Sequence, residues 1–132
     1  MGWYYNPTHI TKLITCQKRA LRTIASIDDR LTHTTPLFYR FKLLKFVDLH
    51  KFQCIMDTFF KINDGQYRVA HERHTRNSQL ALPKFHRLSR TQQSITFSGP
   101  ELFNSLPENI RNITSPSILK MKLKTYFIDQ YA

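Results

Sequence analysis

Acidic residues are scarce in this chain: nine Asp and Glu stand against twenty Lys and Arg, a formal net charge of +11 before any histidine contributes. Such an excess favours polyanion partners, nucleic acid first and an anionic membrane surface second. No apolar run approaches the length of a bilayer span, which argues against an integral membrane protein. The opening Met1-Gly2-Trp3-Tyr4-Tyr5-Asn6 lacks the basic start and apolar core of a signal peptide, and Asn6 stands where myristoylation needs Ser or Thr. Only three glycines are present, and none builds a Gly-rich phosphate loop. Cysteine is limited to Cys16 and Cys54, each on an apolar helix-like stretch. Two such cysteines read as reduced core residues, which suits an intracellular chain.

What is present argues for a packed core. Apolar residues make up 41% of the sequence, with ten Phe and six Tyr, too many for intrinsic disorder. At 132 residues the chain has room for one domain with a single core. Residues 8–27 read as an amphipathic helix, with Ile10, Leu13, Ile14, Gln17, Leu21 and Ile24 on one face and Thr8 as a plausible cap. Lys12, Lys18, Arg19 and Arg22 lie away from much of that stripe, and Asp28-Asp29 ends the pattern. A short helix opens at Thr35-Pro36 and carries Leu37, Phe38 and Phe41. The most apolar helix spans about residues 47–63 through Leu49, Phe52, Ile55, Met56, Phe59, Phe60 and Ile62, and stops at Gly65.

Residues 65–92 carry Arg68, Arg73, Arg76, Lys84, Arg87 and Arg90 against a single acid, Glu72. Leu80-Ala81-Leu82 and Ile95-Thr96-Phe97 are short enough to pair as a β-hairpin across this basic loop, with Pro83 restricting the first to a strand end or an edge. Gly99-Pro100 starts a short helix through Leu106, Pro107 a turn through Asn112, and Ser115-Pro116 a helix over 116–130 that buries Leu119, Leu123, Tyr126 and Phe127. The expected fold is a mainly α, small helical domain with a minor antiparallel β-hairpin. It is one domain over 1–132, with a helical part (8–63), a basic loop and hairpin (64–98) and a helical C-terminal part (99–132).

Catalytic chemistry finds no persuasive residues. Asp28-Asp29 invites comparison with the metal-holding aspartates of a polymerase, but a helical stripe leads into it and no third carboxylate accompanies it. A polar helix end or loop is the better reading. His71, His74, His86, Cys16 and Cys54 do not show the paired ligand spacing of a zinc site. His71-Glu72-Arg73-His74 is one residue short of the His-Glu-x-x-His spacing that puts two ligands on one helix face. No metal site, cofactor or catalytic residue is therefore assigned.

The basic surface is the stronger candidate. Guanidinium groups bind phosphate bidentately and stay charged, and aromatic rings between them stack on unpaired bases. The candidate nucleic-acid-binding residues are Lys18, Arg19 and Arg22 on the first helix with Arg73, Arg76, Arg87 and Arg90 in the loop. An ordinary solvated helix face is the competing reading. Tyr39 and Tyr67, beside Arg40 and Arg68, are the aromatics least committed to the core.

One stretch resembles a known family. Ile95 to Arg111 contains Phe97-Ser98-Gly99-Pro100-Glu101-Leu102-Phe103-Asn104-Ser105-Leu106-Pro107 and Ile110. This is similar to the Tyr/Phe-x-Gly-Pro-x-Leu-Trp/Phe-Asn-Ser-Leu-Pro-x-x-Ile signature near the C-terminus of reverse transcriptases from jockey-like non-LTR (LINE-class) retrotransposons. Gln17-Lys18-Arg19-Ala20-Leu21-Arg22-Thr23-Ile24 resembles that family's Gln-x-Arg-Ala-Ile-Arg-x-Ile helix, and His33-Thr34-Thr35-Pro36-Leu37-Phe38 its His-Thr-x-Pro-Leu-Phe. His74-Thr75-Arg76-Asn77 and Ser117–Lys124 follow in the same order, so the likeness covers about residues 10–128. Phe103 and Leu119 depart from it, standing where the family often has Trp and Phe.

The resemblance implies a non-catalytic C-terminal fragment of a retrotransposon reverse transcriptase, contacting template RNA or target DNA in target-primed reverse transcription. Polymerase and endonuclease chemistry would lie in segments this sequence lacks. Partners on this reading are RNA or DNA and the rest of a reverse transcriptase, with no membrane and a nuclear location. Two alternatives stay open: a structural module docking on a polymerase thumb, and a translated mobile-element remnant without function.

Overall fold

The computed structural model describes residues 7–65 and 95–132, with side chains over 8–65 and 98–132. Six helices occur among the described residues: α1 (Pro7–Ile24), α2 (Thr35–Arg40), α3 (Phe46–Asn63), α4 (Ile95–Asn104), α5 (Glu108–Arg111) and α6 (Pro116–Asp129). The mainly α expectation holds. No strand occurs among the described residues, and the expected hairpin is corrected at its second arm, because Ile95-Thr96-Phe97 is the first turn of α4. The β-propensity of such a triplet describes fit to a half-buried pleated surface rather than a backbone demand. Leu80-Ala81-Leu82 and the basic loop lie outside the described residues.

Helix ends follow from local chemistry. α1 stops at Ile24 rather than at 27 because Ser26 adopts a left-handed φ of 54°. The Ile27 N–H then donates to the Arg22 carbonyl at 2.9 Å and the Ser26 N–H to the Thr23 carbonyl at 3.1 Å, a Schellman turn. α2 ends the same way: Lys42 has φ 52°, and the Leu43 and Lys42 N–H groups bond the Phe38 and Tyr39 carbonyls. Gly65, with φ 77°, closes α3 as its sequence position suggests.

The chain packs as two compact units. Among the described residues, one comprises 7–50 and 121–132, the other 51–65 and 95–120, so that the divisions fall inside α3 and α6. In the first unit, Leu21, Leu37, Phe38, Ile128 and Tyr131 form a buried cluster, with Ala25, Ile27, Phe41 and Leu44 packed against it. Phe38 and Tyr131 meet edge to face, their centroids 6.3 Å apart. The N-terminus of α3 is held from outside the helix. The Phe46 N–H donates to Gln17 Oε1 (3.0 Å), the Lys45 N–H to the Tyr131 hydroxyl (3.1 Å), and that hydroxyl donates to Asp48 Oδ2 (2.5 Å). Two of the amides that a helix start leaves unpaired are thereby satisfied. Gln17 also donates through Nε2 to the Leu44 carbonyl at 2.8 Å, which is why an amide sits on the apolar stripe of α1.

The second unit buries Cys54, Ile55, Met56, Thr58 and Phe59 of α3, Pro100 and Phe103 of α4, then Leu106, Ile110 and Leu119. The Gly-Pro pair is therefore internal rather than a helix start, since α4 begins four residues before Gly99. A Cβ at Gly99 would collide with Thr58 Oγ1 and stand 3.3 Å from the Cys54 carbonyl oxygen. Glycine is what permits α4 to approach α3 so closely.

Several apolar residues expected inside are exposed: Leu13, Ile24, Leu49 and Phe60 each show 47% or more of their surface. A three-and-four repeat marks a stripe wider than the part that finds a partner. Cys16 is exposed on α1, contrary to its expected core position, whereas Cys54 is fully buried; both are free thiols. Among the described residues, no helix is long and apolar enough to cross a membrane.

Candidate nucleic-acid interface

The C-terminal half of α1 and the loop after it form a cation-lined cavity. Because the Schellman turn reverses the chain at Ser26, residues 27–32 fold back beside α1, and Ile27 reaches the apolar cluster around Leu21. Asp29 sets the loop's shape. Its Oδ1 accepts from the Leu31 N–H and its Oδ2 from the Thr32 hydroxyl, both at 2.9 Å. Those two bonds, the backbone one first, hold its carboxyl below the usual aspartate range, and the Arg22 charge adds to them. The Thr32 carbonyl so positioned accepts from Arg22 Nη2 at 3.0 Å. Asp28-Asp29 is thus part of a structured loop, as its sequence context suggests.

The cavity has a volume of about 650 Å³, and its lining includes Lys18, Arg19, Arg22 and Arg30, with Asp28 as the single carboxylate among the described residues and Ile27 as an apolar wall. Helical spacing explains the first three: positions 18, 19 and 22 lie within about one turn, so their long side chains reach the same side. Thr15 and Thr23 also line it, but their hydroxyls donate to the Thr11 and Arg19 carbonyls at 2.8 and 3.1 Å. Charged groups are left as the donors. Arg22 is distinctive among them: it is partly buried, and its Nε is a buried donor with no hydrogen-bond partner among the described residues.

The structure therefore brings together Lys18, Arg19 and Arg22 and adds Arg30, which sequence reasoning missed. The available signal was only a cation directly after Asp28-Asp29; placing it beside α1 required the reversal at Ser26. Arg73, Arg76, Arg87 and Arg90 lie outside the described residues. Tyr39 is exposed beside Arg40, matching the expectation that it is free of the core. A second, smaller cavity of about 240 Å³ is lined by residues that include Lys18, His33, Lys45 and Asp48. Lys45 Nζ there stands 4.4 Å from the Tyr131 ring centroid, a cation–π contact. Among the described residues no group of three or more His, Cys, Asp or Glu could hold a metal ion. Protein-family models, curated proteins and solved structures give no match to this chain, so the chemistry of its own residues carries the functional reading.

Proposed function

We propose that this chain is a non-catalytic nucleic-acid-contacting module, and that it derives from the C-terminal region of a LINE-class reverse transcriptase, where it would help hold template RNA or target DNA. The observation that carries the first part is the clustering, among the described residues, of four cations and one carboxylate around a single cavity. Spread evenly, a charge of +11 would serve solubility alone; four cations facing one concavity suit a phosphate backbone. The second part is supported by the ordered motifs. Their most distinctive residues have structural work here: Gln17 caps α3, Gly99 admits α4 to α3, and Leu106 and Ile110 are buried.

Docking on a polymerase partner is the second reading. It is favoured by exposed apolar side chains such as Leu31, Ile24 and Met121, which show 60% or more of their surface.

Binding of single-stranded RNA and DNA, measured across a salt series, separates the two. Nucleic-acid binding is expected to weaken steeply, with a log–log slope of about −0.7 per phosphate neutralised. Replacing Lys18, Arg19 and Arg30 together by Gln should lower the slope's magnitude by about 2. A matched set at Arg73, Arg76, Arg87 and Arg90 measures the loop's share. Equal affinity and slope in the Lys18/Arg19/Arg30 variant would overturn the cavity as the interface and leave docking as the leading reading.

A further inference from the structure

The geometry points to a receptor for one phosphate group in the cavity between α1 and the loop 25–32, with Arg22 as its central donor. This rests on the nucleic-acid reading above and specifies what the cavity takes: a phosphate oxyanion held at a fixed position, rather than a polyanion attracted at large.

Three observations carry it. First, Arg22 is already oriented. Its Nη2 donates to the Thr32 carbonyl, which the Asp29 carboxylate fixes in turn through the Thr32 hydroxyl and the Leu31 amide. A guanidinium anchored at one nitrogen loses little further freedom when a ligand binds, so the cost of ordering it is small. Second, Arg22 lines the cavity while its Nε–H is buried and without a partner among the described residues. Buried donors are nearly always paired, and an unpaired one on a charged group is unfavourable. A phosphate oxygen accepting from Nε would remove that defect with a charge-assisted hydrogen bond, among the strongest available to a protein.

Third, the surroundings suit an anion attached to a larger body. Lys18, Arg19 and Arg30 supply charge without competing hydroxyl donors, because those of Thr15 and Thr23 are engaged by their own helix. A volume of about 650 Å³ exceeds a phosphate alone, and Ile27 provides an apolar wall for the attached group. Asp28 opposes the anion, which makes the surrounding cations necessary rather than redundant. Both a terminal monoester and a backbone diester present non-bridging phosphoryl oxygens, three in the first and two in the second, so either source fits the cavity.

The test uses the full chain and inorganic phosphate, with ionic strength held constant by chloride and binding followed by calorimetry. Wild type should bind one phosphate saturably. Arg22→Lys keeps the charge but removes Nε, and should weaken phosphate binding about tenfold or more. Arg30→Gln, in the exposed loop, should also weaken phosphate binding and remains informative should Arg22→Lys not fold. Oligonucleotides with and without a 5′-terminal phosphate separate the sources. A gain confined to the phosphorylated strand identifies a monoester; equal binding of both, equally weakened in Arg22→Lys, identifies a diester. Salt-dependent RNA binding without saturable phosphate binding, or with phosphate affinity unchanged in both variants, would overturn the receptor and leave the nucleic-acid reading standing. Binding of neither phosphate nor oligonucleotide would overturn both.

Discussion

Replacing Gly99 by alanine exposes a conflict between local preference and packing. Gly99 is a buried residue inside α4, where alanine is intrinsically favoured over glycine by about 1 kcal/mol. Against that gain stands the new methyl's collision with Thr58 Oγ1 and its tight approach to the Cys54 carbonyl. Thr58 cannot yield freely: it is 1% exposed, and its hydroxyl donates to that same carbonyl at 2.8 Å. Overpacking a closed site costs typically about 1–3 kcal/mol, and moving the hydroxyl also forfeits a buried hydrogen bond of roughly 1 kcal/mol. Packing wins, with an expected net loss of about 1–3 kcal/mol. In a Thr58→Ala background the obstructing oxygen is gone, so Gly99→Ala should become neutral or stabilising by up to about 1 kcal/mol. The coupling would be about 2 kcal/mol, large for any pair of residues. Urea unfolding of the four proteins, followed by circular dichroism, reads this directly as midpoints at constant m. Equal effects of Gly99→Ala in both backgrounds would refute the close approach of α4 to α3.

Tyr131→Phe should cost about 1–3 kcal/mol, since it removes a bond to the Asp48 carboxylate and the acceptor for the Lys45 N–H. Burial first, and the bond to Asp48 second, raise the Tyr131 pKa above its ordinary value. The hydroxyl's contribution is therefore full below the unfolded value of about 10 and lost as pH rises, so the gap between wild type and variant should narrow in alkaline unfolding titrations. Ser26→Gly and Lys42→Gly relieve left-handed strain at two helix ends and should each stabilise by roughly 0.5–1 kcal/mol; a loss on thermal melting would mean those φ values are wrong. Phe103→Ala, at a ring 6% exposed, should cost about 3–5 kcal/mol in the same urea assay, and a change near zero would displace it from the core.

Much of the helical fold was legible because apolar repeats of three and four residues are a local property of the chain. The α3 and α6 stripes lead to the buried Ile55, Met56 and Phe59 and to Leu119, Leu123 and Phe127. The failures share a cause: they depend on partners distant in sequence. Leu49 and Phe60 continue the α3 stripe yet stay exposed, because periodicity reports an apolar face and not whether anything covers it. Tyr131 lies just beyond the helix expected over 116–130, yet it caps a helix start 86 residues earlier through its bond to Lys45. Ile95-Thr96-Phe97 carries strand propensity and is helical, with Gly99, two residues after Phe97, packed against α3. For the candidate site, Lys18, Arg19 and Arg22 were recognisable from helical spacing. Arg30 was not, since its place follows from a left-handed Ser26, a conformation no preference of serine announces.

Amide-shift mapping of the full chain during titration with a single-stranded RNA oligonucleotide tests the central claim most directly, because it reports where the nucleic acid sits. The cavity account predicts that the largest saturable changes fall at residues 15–30, with Arg22, Arg30 and the Asp29–Thr32 turn among them, and that they fade as salt is raised. Changes that leave residues 15–30 untouched while saturating elsewhere on the chain would contradict it.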